Sequence, residues 1–184
     1  MGAGVSPQAD LLFWLVARTT GVAAFLALAI AMLSGLALRT SVLDRIGTNR
    51  AWRELHTFCT VLWLPLGAAH LVALLLDRTA RVAPIDLVVP FDVTYGSLPL
   101  GLGTVALDLY LLVAVTGWMK RQMSQPLWSW IHRLSYPAFG ATFAHAVLSG
   151  TDFSAPAVSA FAWSVGFAVV VLALARIAWG RLPA

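Results

Sequence analysis

The segment ELHTFCTVLWLPLGAAHLVALLLD, residues 54–77, decides how this chain folds. It places twenty-two uncharged residues between Glu54 and Asp77. A helix of about 20 apolar residues, rising about 1.5 Å per residue, spans the roughly 30 Å hydrocarbon core of a bilayer. The segment also contains two histidines, His56 and His70, fourteen positions apart. Because fourteen residues are close to four helical turns, both imidazoles leave the same face of the helix.

Similar uncharged runs occur on both sides of this segment. The uncharged runs are bounded by charged residues at positions 18 and 39, 133 and 152, and 152 and 176. A further run, between positions 92 and 120, is interrupted only by Asp108. Charged residues make up 11% of the chain, whereas a soluble domain carries roughly 25%. The sequence therefore predicts an all-α, polytopic membrane helical bundle in a single domain, 1–184. The predicted transmembrane helices, about five in number, are 11–38, 52–76, 99–119, 127–149 and 157–180.

Lysine and arginine are concentrated in alternate predicted loops. The first loop and its flanks hold four arginines, the third holds Lys120 and Arg121, and the C-terminal segment adds two more arginines. Positive residues accumulate on the cytoplasmic side of membrane proteins. We therefore expect a multi-pass plasma-membrane protein with its N-terminus outside and its C-terminus in the cytoplasm. The pI of about 10 reflects this topology, and we expect no nucleic-acid binding.

All four histidines lie in two of the predicted helices, at nearly equal spacing. His132 and His145 are thirteen positions apart on the fourth helix, which runs in the same direction as the second. A neutral imidazole offers one lone pair, and a porphyrin iron has two axial positions. The spacing therefore predicts two stacked b-type haems. We expect His56 and His132 to hold the inner haem. We expect His70 and His145 to hold the outer haem.

The fourth helix fits this scheme less simply than the second. Thirteen residues give about 3.6 turns, so a regular helix would put His132 and His145 on different faces. Pro137 lies between them and predicts a kink or local unwinding that restores the phase. Alternatively, His132 lies at the start of the helix, outside strict register. The alternative to haem ligation as a whole is that the histidines form hydrogen bonds between membrane helices.

Beyond the histidines, four segments carry a likeness to a known family: ARTTG (17–21), ELHTFCTVLWLPLGAAHLVALLLD (54–77), VPF (89–91) and LWSWIHRLSYPAFGATFAHAVLSGTD (127–152). They resemble the ferric reductase-like transmembrane domain. That superfamily includes ferric reductases, NADPH oxidases and the haem subunit of a periplasmic methionine sulfoxide reductase system. The likeness covers roughly residues 17–180. It implies the same two ligand pairs and electron transfer from a cytoplasmic flavin or quinol donor to an external acceptor.

The NADPH oxidases and ferric reductases also carry a cytosolic region that binds flavin and a nicotinamide cofactor. The 184 residues contain no G-x-G-x-x-G after a predicted strand, and Gly101-Leu-Gly103 lies at a membrane-helix start, as a loop or packing feature. We therefore expect no flavin or NAD(P)-binding domain. We expect an oxidoreductase haem subunit that needs a separate flavoprotein reductase or quinol as donor, with ferric iron, oxygen or a protein as external acceptor. The alternatives are a quinol-oxidising membrane cytochrome b and a non-enzymatic membrane module.

Several charged residues lie near the predicted haem ligands. By resemblance, Arg18 approaches the outer haem, where it pairs with a propionate or attracts an anionic acceptor; alternatively it is an interfacial residue. Arg53 and Arg133 flank the inner histidines and suit inner propionates, although topology alone would also place them there. Asp108 is the one carboxylate deep in a predicted membrane helix. It could accept a hydrogen bond from a ligand histidine, relay protons, pair with an arginine or bond to Thr104.

Overall fold

In a computed structural model of the chain, residues 7–40, 45–92 and 96–179 are described. Part of the predicted cytoplasmic C-terminal segment therefore lies outside the described residues. All regular secondary structure within these three ranges is helical, which confirms the all-α prediction. The α-helices are α1 (Pro7–Ala37), α2 (Asn49–Leu76), α3 (Ser97–Trp118), α4 (Gln125–His132), α5 (Ser135–Ser149) and α6 (Pro156–Trp179). Short 3-10 helices occupy Pro84–Leu87, Lys120–Gln122 and Thr151–Ser154.

Within the described residues, four helices are long and apolar enough to cross a membrane. These spans are Gln8–Ala37, Asn49–Leu76, Ser97–Trp118 and Pro156–Ala178. Large apolar side chains such as Phe58, Val61 and Phe167 are exposed on them, as lipid-facing side chains are. The transmembrane character predicted from the uncharged runs agrees with these four helices. The direction in which they cross stays a prediction.

The predicted helix over 127–149 is wrong as one continuous element. Two helices take its place, α4 ending at His132 and α5 beginning three residues later. Pro137 occupies the third position of α5, where its missing N–H is tolerated because first-turn N–H groups have no acceptor within the helix. In a continuous helix its ring would collide with the carbonyl of Arg133, so the break falls at residues 133–134. The predicted unwinding thus occurs, just before the proline.

The helices group into two compact units. The first comprises Met1–Arg81 and Asp152–Ala184 and contains α1, α2 and α6. The second is Val82–Thr151 and contains α3, α4 and α5. In the first unit α1 packs along α2, and in the second α3 packs along α5. Each unit is therefore built on one helix pair. The first pair contains His56 and His70, the second contains His145, and His132 lies in α4.

Candidate functional site

His70 is held against the first half of α1 by a backbone hydrogen bond. Its Nδ1 lies 2.7 Å from the carbonyl oxygen of Ala17. Gly21, one turn further along α1, permits this approach, since a β-carbon there would lie 2.9 Å from Nδ1. A helical side chain covers the turn that precedes it, so glycine at position 21 uncovers the carbonyl at position 17. We call such a carbonyl, with a glycine four residues later, a carbonyl–glycine notch.

His56 occupies a second notch on the same helix pair. Its Nδ1 lies 2.7 Å from the carbonyl oxygen of Ala31. A β-carbon on Gly35, four residues later, would lie 3.2 Å from this nitrogen. Because His56 contacts the later part of α1 and His70 the earlier part, α1 and α2 run antiparallel.

The spacing of the two histidines on α2 is matched by the spacing of the notches on α1. The two alanines are fourteen residues apart, as are the two glycines and the two histidines. Fourteen residues are two heptads, the period at which two packed helices return to the same contact. The two imidazoles of the first unit therefore meet equivalent surroundings.

His145 occupies a third notch, in the second unit. Its Nδ1 lies 2.8 Å from the carbonyl oxygen of Pro99, in the first turn of α3. A β-carbon on Gly103 would lie 2.8 Å from the same nitrogen. Gly103, for which the sequence predicts a loop or packing feature, lies inside α3 and packs against His145. The contact joins the start of α3 to the end of α5, so this pair is antiparallel as well.

These three hydrogen bonds determine which ring nitrogen carries the proton. A carbonyl oxygen can only accept, so Nδ1–H is the donor, and in the neutral ring Nε2 then carries the lone pair. Metal-ligating histidines usually donate their other ring N–H to a carbonyl or carboxylate in this way. The rings of His56, His70 and His145 are therefore held in the tautomer that ligates a metal through Nε2.

His132 has different surroundings. It is the last residue of α4, and its ring stacks on Trp128 one turn earlier, with centroids 4.9 Å apart and planes 18° apart. The ammonium nitrogen of Lys120 lies 4.1 Å from the centroid of the same indole. The notch geometry is therefore seen at His56, His70 and His145, and the sequence already set His132 apart by its position at the start of the predicted fourth helix.

Two tryptophans precede the candidate inner ligands by one helical turn. Trp52 stands four residues before His56, and Trp128 stands four residues before His132. In both, the indole Nε1 is buried and has no hydrogen-bond partner among the described residues. A buried donor without an acceptor costs about 1–3 kcal/mol, so both N–H groups call for an acceptor.

Other tryptophans of the chain lie at the surface instead. Trp118 is 88% exposed and Trp130 is 68% exposed, as expected for rings at a membrane–water interface. By contrast, Gly47 covers the Nε1 edge of Trp52, where a β-carbon would lie 3.1 Å from this nitrogen. The interfacial role that suits the two exposed rings does not explain a sealed indole N–H.

Arg18 forms an ion pair with Asp152 in the first unit. Its Nε lies 2.9 Å from Oδ2, and Nη2 contacts Oδ1, so the pair is bidentate. The guanidinium also lies 4.0 Å from the ring centroid of Trp14. The hydrogen bond from Arg18 lowers the pKa of the Asp152 carboxyl below its ordinary 3.8. Nothing local in the sequence pairs these two residues, because they lie 134 positions apart.

The other candidate arginines lie near the ends of helices. Arg53 is exposed in the first turn of α2. Arg133 lies in the break after α4, with its guanidinium carbon 5.0 Å from the ring centroid of Trp130. Both positions leave the guanidinium accessible to an anionic group.

Asp108 lies exposed midway along α3. It does not accept a hydrogen bond from the Nδ1 of His56, His70 or His145, because backbone carbonyls do. Of the other roles left open for Asp108, the bond to Thr104 is not formed. That hydroxyl bonds to the carbonyl oxygens of residues 86 and 100.

Comparison with known proteins identifies no relative. The chain matches no protein-family model, no curated protein and no solved structure. The likeness to the ferric reductase-like domain therefore rests on the sequence segments alone. In the described part of the chain, no group of three or more His, Cys, Asp or Glu side chains is arranged to hold a metal ion. An iron porphyrin needs only axial ligands from the protein, so this finding concerns a different kind of site.

Proposed function

We propose that this protein is a di-haem b-type transmembrane electron-transfer subunit of an oxidoreductase. The observation that carries the proposal is the carbonyl–glycine notch at His56, His70 and His145. Each notch fixes the proton on Nδ1 and leaves Nε2 as the ligand nitrogen. The same bonds join α2 to α1 and α5 to α3, as histidines that only connected helices would also do. Histidines with that role alone would need no repeat every fourteen residues, which is about 21 Å along a helix.

In this proposal the four histidines form two pairs at different depths. His56 and His132 ligate the inner haem, towards the cytoplasm, and His70 and His145 ligate the outer one. Haem b supplies a one-electron ferric–ferrous couple. The protein's own contribution is to hold the imidazoles at two depths and to set the orientation of their rings. The assignment of sides follows the arginine-rich loops, with the N-terminus outside and the C-terminus in the cytoplasm.

The residues around the inner histidines suit the propionates of a haem. We assign the buried indole N–H groups of Trp52 and Trp128 as propionate donors, since each needs an acceptor and stands one turn from a ligand histidine. Arg53 and Arg133 supply positive charge nearby. On the outer side, Arg18 uses two of its five N–H groups for Asp152, and the others can bind an outer propionate or an anionic acceptor.

Electrons must enter and leave through partners in this scheme. The donor is a separate flavoprotein reductase at the basic cytoplasmic face, or a quinol in the bilayer. The acceptor is external: ferric iron, oxygen or a protein. Reduction of purified protein by a quinol analogue, without response to flavin reductases, would select the quinol-oxidising cytochrome b.

Haem content tests the proposal directly. Protein expressed with ample haem should contain two haem b per chain, measured as the pyridine haemochrome against protein concentration. His70→Ala or His145→Ala should remove about half of the haem. Thr57→Ala, an exposed position on α2, serves as the matched control and should keep both. Colourless wild-type protein would exclude the di-haem electron-transfer function and favour a non-enzymatic membrane module.

A further inference from the structure

Three helix-internal segments share one sequence pattern, a small or β-branched residue followed by two residues, Ser or Thr, and Gly. They are ARTTG (17–21) and AMLSG (31–35) in α1, and VAVTG (113–117) in α3. The first two are the notches of His70 and His56. At the third, no heavy atom lies within 4 Å of a β-carbon placed on Gly117. The third segment is thus a notch of the same sequence type with no side chain over its glycine.

The local geometry of the third segment already matches the other two. In each, the hydroxyl before the glycine bonds to the carbonyl that begins the pattern. The oxygen–oxygen distances are 3.4 Å from Thr20, 3.1 Å from Ser34 and 3.2 Å from Thr116. Each hydroxyl also bonds to the carbonyl one residue earlier, at 2.5, 2.7 and 2.7 Å. The carbonyl of Val113 therefore has the same hydroxyl partner as the two carbonyls that accept from histidines.

The third segment also lies at the expected distance along its helix. Val113 follows Pro99 by fourteen residues, and Gly117 follows Gly103 by fourteen, the same two-heptad interval that separates the notches of α1. Because α3 and α5 are antiparallel, the residue expected to face the third segment lies fourteen positions before His145, at position 131. His132 is one position later, and the break at residues 133–134 frees it from the helical register of α5.

We propose that Val113–Gly117 is the notch of His132 in the haem-loaded protein. The ring leaves its stack on Trp128, lies over Gly117 and donates its Nδ1–H to the carbonyl of Val113. The short α4 packs against α3, and the break at 133–134 is the pivot of the movement. This inference rests on the proposed function and adds to it: the inner haem site takes its final form only as haem binds, whereas the notches of the other three histidines are already formed.

A pair of glycine substitutions tests the inference. Gly117 and Gly140 are both exposed helical glycines with no heavy atom within 4 Å of an added β-carbon, so the two positions are matched for the substitution. Gly117→Val should cover the carbonyl of Val113 and lower the haem content from two to about one per chain. Gly140→Val should keep two. Equal haem content in the two variants would overturn the inference.

Nuclear magnetic resonance of histidine gives a second readout that does not depend on haem loss. The chain has four histidines, so ¹⁵N-histidine labelling yields four Nδ1 signals. A ferrous haem with two imidazole ligands would be low-spin and diamagnetic, so in the reduced protein all four signals should report hydrogen-bonded Nδ1–H. The milder Gly117→Ala should shift one of them and leave three. Four unshifted signals would refute the notch of His132 while leaving the two-haem proposal intact, and wild type without haem would refute the proposed function itself.

Discussion

Nδ1 of His145 lies 2.8 Å from the carbonyl oxygen of Pro99, a backbone atom that Gly103 leaves uncovered. The orientation of a candidate ligand ring is therefore set by main-chain geometry together with the lack of one β-carbon. Backbone acceptors on a helix cannot change rotamer, so this arrangement holds the ring more firmly than a carboxylate side chain would. The same relationship holds between His70 and Ala17, where Gly21 leaves the carbonyl uncovered.

Gly103→Ala is expected to displace His145. The new β-carbon would lie 2.8 Å from Nδ1, so the ring must move and its hydrogen bond to Pro99 lengthens. A net hydrogen bond contributes about 1 kcal/mol, and we expect a stability loss of about that size with reduced outer-haem content. Gly67→Ala is the control, because a β-carbon there meets the Trp63 ring at an ordinary 3.6 Å. Thermal unfolding and haem content measure both, and identical behaviour of the two variants would contradict the steric argument.

The ion pair between Arg18 and Asp152 should stabilise the protein in a pH-dependent way. The folded-state pKa of Asp152 is lowered, chiefly by the hydrogen bond from Arg18. Its contribution is therefore fully present above the ordinary pKa of 3.8 and is lost as pH falls through the lower folded value. Asp152→Asn should lower the melting temperature at neutral pH, and the difference from wild type should close below about pH 4.

A surface ion pair gives the control for this measurement. Arg50 and Glu54 form an exposed pair one helical turn apart. Such pairs contribute about 0.3–0.5 kcal/mol, so Glu54→Gln should leave the melting temperature almost unchanged. If the difference in melting temperature between wild type and Asp152→Asn did not change with pH, the carboxylate would not act through its charge.

Trp52→Phe and Trp128→Phe should each weaken retention of the proposed inner haem. Each substitution removes the indole N–H while keeping an aromatic ring, so the loss is that of one hydrogen bond to a charged group. Such bonds contribute about 1.5–3 kcal/mol, and the lower figure corresponds to roughly tenfold faster haem transfer to apomyoglobin. Trp118→Phe, at a ring that is 88% exposed, should transfer haem at the wild-type rate. Wild-type rates in both inner variants would exclude these donors.

Replacing Asp108 by leucine should stabilise the isolated protein. This carboxylate is exposed midway along α3 and has no hydrogen bond or ion pair within the described chain. A charge at the centre of a membrane helix costs about 2.5–3.5 kcal/mol on insertion scales. Val115→Leu, seven residues or about two helical turns further along α3 and also exposed, is the neutral control. A destabilised Asp108→Leu protein would instead reveal a partner for the carboxylate.

The extent of the helices could be read from the sequence because it depends on local composition. The uncharged runs place α1, α2, α3 and α6 to within a few residues, since an apolar run of bilayer length is helical wherever its neighbours lie. The break in the fourth predicted helix was visible as Pro137. Its position at residues 133–134 follows from the reach of the proline ring to the preceding turn.

Partners far apart in the chain could not be read in the same way. ARTTG (17–21) stands out as a segment of family likeness, but nothing local to it reveals that His70 donates to Ala17, 53 positions away. A usable signal was present in the matching intervals of fourteen residues on α1 and α2, and in the [Ser/Thr]-Gly pairs that accompany them. The bond between Arg18 and Asp152 had no comparable signal.

By itself, then, the sequence determined the number of apolar runs, the spacing of four histidines and the alternate connecting segments in which lysine and arginine are concentrated. These properties are local, because a helix in an apolar medium satisfies its backbone within one segment. Only the tertiary structure decided which carbonyl holds each imidazole, which glycine admits it and which carboxylate neutralises Arg18. Those contacts depend on the relative rotation and offset of packed helices, which no single segment specifies.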